Sequence, residues 1–241
     1  KRKMTEREIA EWHADENEWW EKYADIMSRQ WELDDYSNKV LRKNIQTESF
    51  KHLVKEDGNL LDLGCGNGWL SFKFNAAGMR TLGIDFSQKQ IELANNSKAS
   101  HGISNASFLC SDILSWDYSN YLDSFDSIHI NAFLHHLPSE ELDELFRIIS
   151  KVSKNKASLY LYEPIYFPNM RVSVWKKPLL FFITKFFGLL AFRLPLLLNF
   201  WSEDFKRAKK DGYTGTSPHE AGIDYTFFRS ILDKYSFKVE S

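Results

Sequence analysis

The chain has 241 residues, 43% of them hydrophobic, which is enough for the core of one large domain or of one domain with a sizeable insertion. Its 31 basic and 33 acidic residues are interspersed and give a net charge of -2, so no nucleic-acid partner is expected. The two cysteines, Cys65 and Cys110, exclude a disulfide framework and a multi-cysteine metal site. No apolar signal segment follows Lys1, which favours a cytoplasmic location, and the missing initial Met suggests a piece of a longer chain.

Residues 1–53 predict a helical cap. Apolar and aromatic side chains recur at helical spacing from about Thr5 to Met27, and a second helix is expected from about Asn38 to Leu53. The two helices either pack against the remaining domain or form an aromatic cap that helps to close a binding site. The sequence leaves both interpretations open.

Residues 54–166 alternate between short apolar runs and helical segments. The predicted strands are Leu60–Leu63, Met79–Ile84, Ala106–Cys110, Phe125–Asn131 and Ser158–Tyr162. The intervening helices are expected to begin after Gly68, after Ser87 as N-cap with Gln90 completing a capping box, and at Pro138. Such alternation predicts βαβ units, and therefore an α/β fold with a doubly wound, mostly parallel sheet.

Residues 167–222 break this pattern. The stretch from Val172 to Trp201 is apolar all round, but charged residues and prolines cut it into pieces too short to cross a membrane. We expect two short helices inserted after the fifth strand as a lid over the site. A homodimer contact or a membrane-surface contact with peripheral association are the alternatives. Residues 223–241 are expected to return to the core as a last helix and a sixth strand, Phe237–Glu240.

A glycine-rich turn lies at the end of the first predicted strand. Gly64, Gly66 and Gly68 give a G-x-G-x-G spacing, whereas a dinucleotide fingerprint needs its third glycine where Trp69 stands. Asp62, just before the turn, suits a ligand with a positive charge. The turn therefore favours a nucleotide-like cofactor other than a pyrophosphate.

Four motifs in order resemble those of class I S-adenosylmethionine-dependent methyltransferases of the small-molecule group. The first is Asp62-Leu63-Gly64-Cys65-Gly66-Asn67-Gly68 and the second is Gly83-Ile84-Asp85-Phe86-Ser87. The third is Cys110-Ser111-Asp112-Ile113, and the fourth runs from Phe125 through His135-His136-Leu137. The resemblance implies a Rossmann-like fold, S-adenosylmethionine as cofactor and S-adenosylhomocysteine as product. That family's sheet also carries a terminal antiparallel strand, for which this sequence has no counterpart.

The resemblance also implies a cofactor site. Its residues are Asp62, Gly64, Cys65, Gly66, Asp85, Phe86, Asp112, Ile113 and Asn131. Gly64 and Gly66 would let the methionine end approach the backbone, and Asp62 would receive its ammonium group directly or through water. Asp85 would accept from both ribose hydroxyls, although a solvated turn carboxylate is the alternative.

The remaining cofactor residues would surround the adenine and the sulfonium. Phe86 and Ile113 would pack on the adenine ring, and Asp112 would accept from its amine. Core packing for Phe86 and a cap for Asp112 are the alternatives. Asn131 stands at the end of the fourth strand, near the expected sulfonium.

His136 and His135 follow the fourth strand and are the candidate catalytic bases or orienting donors. The further residues that could line the pocket are Tyr162, Glu163, Tyr166 and His219. No metal site is expected. The acceptor is expected to be a small molecule with an oxygen, nitrogen or carbon nucleophile, and the apolar insertion suggests a large apolar one. A non-catalytic cofactor-binding module and, further off, an NAD-dependent oxidoreductase are the alternative functions.

Overall fold

A computed structural model describes residues 3–32, 36–163, 165–166 and 223–238. Five strands form one parallel sheet in the order β3-β2-β1-β4-β5, where β1 is Asn59–Leu63, β2 is Arg80–Asp85, β3 is Ala106–Cys110, β4 is Phe125–Asn131 and β5 is Ser153–Tyr162. Chain order reverses between β1 and β4, which are neighbours in the sheet. The predicted doubly wound α/β fold is confirmed, and ligands bind such sheets at the carboxyl ends of the strands where the order reverses.

Six α-helices and a small second sheet accompany these strands in the described ranges. The helices are α1 (Glu6–Glu32), α2 (Tyr36–Leu53), α3 (Trp69–Ala76), α4 (Gln88–Ser100), α5 (Leu142–Val152) and α6 (Tyr225–Lys234). Two further strands, β6 (Ile165–Tyr166) and β7 (Ile223–Asp224), pair in parallel with each other. None of the described helices is long and apolar enough to cross a membrane.

The side chains of β1 point alternately into two hydrophobic clusters. Leu61 and Leu63 belong to the larger cluster, together with the buried stripe of α5 and residues of α6. Leu60 belongs to the smaller one, together with Leu70 and Phe74 of α3. Both faces of the central strand are therefore covered, as the near-continuous apolar character of a buried parallel strand requires.

Several element boundaries differ from the sequence predictions. Helix α5 begins at Leu142 instead of Pro138, because Pro138–Glu141 form a turn in which the Glu141 N–H donates to the Pro138 carbonyl. Strand β5 begins five residues early, because Ser153 pairs with Phe125 across an irregular register. Phe237 and Lys238, the first two residues of the predicted sixth strand, do not form a strand. The last two residues of that prediction lie outside the described ranges.

The whole predicted helical insertion, residues 167–222, lies outside the described ranges. The same holds for His219. The lid, dimer and membrane-surface roles of this segment and the proposed domain boundaries therefore stay predictions.

Helix α1 lies against the carboxyl edge of the sheet. Its N-terminus is capped by Thr5 and Glu8, whose side chains each accept the other's backbone N–H at 3.3 and 2.8 Å. Further along, Glu21 accepts from the Ser87 hydroxyl at 2.8 Å and so ties α1 to the start of α4. The helix is thereby held where the strands end and where a ligand would enter.

Candidate active site

A cavity of about 470 Å³ lies between the carboxyl ends of the strands and α1. Four residues of α1 and nine residues from the ends of β2, β3 and β4 line it: His13, Ala14, Glu16, Asn17, Ile84, Asp85, Phe86, Ser111, Asp112, Ile113, Phe133, His136 and Leu137. Its lining combines three carboxylates and two imidazoles with apolar side chains. A small organic molecule with polar and apolar parts fits such a site.

The glycines of the turn after β1 have separate tasks. A Cβ on Gly64, whose φ is +65°, would lie 2.6 Å from the Phe133 ring, so this glycine makes room for the loop after β4. A Cβ on Gly66, whose φ is +53°, would meet only Gln90 Oε1 at 3.8 Å. The surface over Gly66 is thus open to a ligand. At Gly64 the Phe133 ring lies where a Cβ would stand, and the predicted approach of a cofactor to Gly64 stays a prediction.

Asp85 joins the ends of β1 and β2. Its Oδ2 accepts the Gly66 N–H at 2.9 Å and its Oδ1 accepts the Ser87 N–H at 3.0 Å. The carboxylate therefore also helps to fix the start of α4, in addition to the predicted N-cap Ser87. Burial raises the pKa of Asp85, against the lowering effect of these two hydrogen bonds and of the nearby His136. Each oxygen keeps acceptor capacity toward the cavity.

The end of β3 supplies a second carboxylate with a local task. Asp112 is exposed, accepts the Leu114 N–H at 3.0 Å and accepts the Ser115 hydroxyl at 3.0 Å. It therefore caps the turn that follows β3 and also lines the cavity. Ile113 is buried in the larger hydrophobic cluster, and Phe86 is half-buried on the cavity wall.

Asp62 lies beneath the glycine turn and is only 3% exposed. Its Oδ2 accepts the Ser71 hydroxyl at 2.5 Å, and its Oδ1 lies 2.8 Å from Nδ1 of His129 on the neighbouring strand β4. The carboxylate thus connects β1, β4 and α3, and its predicted contact with a cofactor's ammonium group stays a prediction. Sequence reasoning missed His129, although its place opposite Asp62 follows from the register of the two strands.

The two adjacent histidines have different surroundings. His135 is buried, with Nδ1 2.8 Å from Oε2 of Glu163, whose Oε1 accepts the N–H groups of Phe133 and Leu134. The contact with Glu163 holds His135 inside the loop, and His135 is not among the residues that line the cavity, so its role as a base stays a prediction. His136 lines the cavity.

Residues of α1 were not among the predicted site residues. His13 Nε2 lies 2.8 Å from Glu141 Oε1, and this hydrogen bond raises the pKa of His13 against the opposing effect of burial. Trp12 Nε1 donates to the His136 carbonyl at 2.7 Å. Glu16 is 2% exposed and lies 3.1 Å from His136. The sequence did carry one signal for Glu16, because this charged residue stands at helical spacing from the half-buried Trp12 and the buried Trp19.

Other predicted residues lie off the cavity wall. Asn131 ends β4 with its Oδ1 buried and without a hydrogen-bond partner among the described residues. Cys65 is buried, which raises the pKa of its thiol well above the usual range. Tyr162 is 43% exposed, and the side chain of Tyr166 lies outside what the structure describes. No group of three His, Cys, Asp or Glu side chains in the described ranges is arranged to hold a metal ion.

Comparison with known proteins shows a similarity over the middle of the chain. Residues 54–170 match the family described as a methyltransferase domain. These residues are therefore similar to a methyltransferase domain. This confirms the resemblance carried by the four motifs, all of which lie within the matched residues.

Individual relatives are distant. Phosphoethanolamine N-methyltransferase 1 of Zea mays is 25% identical over 146 residues, which are 60% of this chain and 29% of the maize protein. The chain thus spans less than a third of the length of this curated relative.

Solved structures share the fold. A methyltransferase of Methanosarcina mazei is 22% identical with a TM-score of 0.53 and coverage of 78% of this chain and 83% of that one. Geranyl diphosphate C-methyltransferase of Streptomyces coelicolor, solved with Mg²⁺, geranyl diphosphate and S-adenosylhomocysteine, is 14% identical with a TM-score of 0.55, over 82% of this chain and 61% of that one.

Proposed function

We propose that this protein transfers a methyl group from S-adenosylmethionine to a small-molecule acceptor. The observation that carries the proposal is the carboxylate of Asp85, which bridges Gly66 and Ser87 at the carboxyl end of β2 and faces the cavity. A carboxylate fixed in this way can accept two hydrogen bonds from a vicinal diol such as a ribose.

The residues around Asp85 fit the rest of the cofactor. Phe86 and Ile113 offer apolar surface for an adenine ring, and Asp112 offers an acceptor for its amine. The open surface at Gly66 leaves room for the methionine end. When bound, S-adenosylmethionine supplies a methyl group on a positively charged sulfur, which suits a cavity with three carboxylates.

The acceptor would occupy the side of the cavity formed by α1 and the loop after β4. His136 is the one predicted candidate base that this wall presents, and its imidazole is 11% exposed. The relatives named for phosphoethanolamine and geranyl diphosphate act on small phosphorylated molecules. We keep a large apolar acceptor as the more specific hypothesis, since residues 172–201 are rich in leucine and phenylalanine.

Calorimetric titration and a methyl-transfer assay test the proposal together. We expect S-adenosylmethionine and S-adenosylhomocysteine to bind and NAD not to bind. Label from methyl-labelled S-adenosylmethionine should then appear in a compound from a panel of phenols, alcohols, amines and phosphorylated amines. Cofactor binding with no label transfer to any panel compound would favour a non-catalytic binding module, and NAD binding alone would contradict the proposal.

A further inference from the structure

Glu16 is an unusual residue for its position in α1. It follows Trp12 by four residues and precedes Trp19 by three, so it lies in the buried stripe of the helix, and it is only 2% exposed. A buried carboxylate is costly unless another group compensates its charge. Glu16 also lines the cavity, so this buried carboxylate belongs to the wall that faces a ligand.

The group opposite Glu16 is His136. Oε2 of Glu16 lies 3.1 Å from Nδ1 of His136, at ion-pair distance although the two atoms are not aligned as a full hydrogen bond. A small rotation of either side chain would align them, as happens when catalytic hydrogen bonds tighten around a bound substrate. Trp20 packs edge-on against the imidazole, with ring centroids 5.5 Å apart, and limits its rotation.

An ionised carboxylate beside Nδ1 favours the tautomer that carries its proton on that nitrogen. The lone pair then resides on Nε2, on the opposite side of the ring, as in other histidines that act as bases beside a carboxylate. Neighbouring His135 is held by Glu163 away from the cavity, so the loop presents one imidazole to the ligand.

We propose that Glu16 is a positioning residue that holds the proton of His136 on Nδ1, so that Nε2 serves acceptors whose attacking atom arrives protonated, namely hydroxyl groups or ammonium groups. This rests on the proposed methyl transfer. His136 Nε2 takes the proton of the acceptor as the acceptor atom bonds to the methyl carbon, and the electron pair of the broken carbon–sulfur bond stays on sulfur. The resulting imidazolium is stabilised by Glu16.

Nitrogen-15 NMR of the imidazole rings tests the placement of the proton without an acceptor. In the wild-type protein with S-adenosylhomocysteine, His136 should show the pattern of a ring protonated on Nδ1. Glu16→Leu, which keeps the apolar stripe of α1, should shift His136 toward the Nε2-protonated form that free imidazole side chains prefer in water. Glu141→Leu is the matched control. It removes a carboxylate that contacts His13, which lies on α1 like Glu16, and should leave the His136 tautomer unchanged. An unchanged His136 tautomer in Glu16→Leu overturns the proposal.

A second readout separates this proposal from the proposed function. Glu16→Leu should bind S-adenosylhomocysteine within about twofold of wild type, while transfer to phenol and alcohol acceptors at neutral pH falls roughly 100-fold, within the range for loss of a general base. The deficit should shrink as the pH rises and the acceptors ionise. Unaltered transfer overturns the positioning role. Loss of S-adenosylmethionine affinity with S-adenosylhomocysteine affinity retained would assign Glu16 to the sulfonium instead, and failure of both ligands to bind wild type would contradict the proposed function itself.

Discussion

The two walls of the cavity are built in different ways. The wall at the ends of β2 and β3 is fixed by strand register and by the hydrogen bonds of Asp85 with Gly66 and Ser87. The opposite wall is assembled from α1 and the loop after β4, through contacts between residues more than 100 positions apart. The first wall suits a constant ligand and the second suits a variable one, because long-range contacts can change without altering the sheet.

Substitutions in the glycine turn should separate packing from ligand binding. Gly64→Ala should lower the free energy of unfolding by about 3 kcal/mol, because it adds left-handed strain and overlaps with the Phe133 ring. Gly66→Ala should cost about 1 kcal/mol of stability, from strain alone, and weaken S-adenosylhomocysteine binding about tenfold. Urea unfolding and calorimetric titration measure the two effects.

Gly78→Ala is the matched control for these changes. Gly78 has a φ of +92° and no atom within 4 Å of an added Cβ, and it lies after α3. It should lose stability like Gly66→Ala without losing ligand affinity. Equal losses of affinity in both variants would contradict the open-surface role of Gly66.

Removing Glu163 should damage the second wall by releasing its loop. Glu163→Ala leaves the backbone N–H groups of Phe133 and Leu134 without their acceptor and His135 without its partner. We expect a loss of about 2 kcal/mol of unfolding free energy in urea titrations. His136→Gln, whose side-chain amide can still donate a hydrogen bond to Glu16, should cost less than about 1 kcal/mol of stability but should abolish most methyl transfer. If Glu163→Ala lost mainly methyl transfer and His136→Gln lost mainly stability, the roles given to His135 and His136 would be wrong.

Asp85→Asn tests the first wall. Loss of charge-assisted hydrogen bonds should weaken S-adenosylhomocysteine binding roughly 10- to 100-fold in calorimetry. Because burial raises the pKa of Asp85, wild-type affinity should begin to fall at a pH above the ordinary range of an aspartate carboxyl as the solution is acidified. Asp117→Asn, in an exposed turn outside the cavity, is the control and should bind normally.

The smallest effect is expected where α1 meets the loop before α5. The hydrogen bond with Glu141 raises the pKa of His13 above its usual value of 6.5. The contact should therefore stabilise the protein fully below about pH 6.5 and lose its effect as the pH rises through the raised pKa. The stability advantage of wild type over Glu141→Gln should shrink as the pH rises above about 6.5, by less than about 1 kcal/mol because the pair is partly exposed. An advantage that grows with pH would contradict this.

The difference between the walls also explains what could be predicted from the sequence. Strands β1 to β4 and the position of Asp85 follow from apolar runs and from motifs that act over a few residues. The pairing of Glu16 with His136 and of His13 with Glu141 depends on how a separate helix docks, which no local pattern encodes. Even within a motif, Gly64 and Asp62 turned out to face Phe133, Ser71 and His129, because their neighbours come from other elements.

A crystal structure of the protein with S-adenosylhomocysteine tests the account most directly. We predict the ribose hydroxyls on Asp85, the adenine between Phe86 and Ile113, and the sulfur directed toward the wall that carries His136 and Glu16. A ligand bound away from Asp85, or oriented with its sulfur away from His136, would contradict the division of the cavity into a cofactor wall and an acceptor wall.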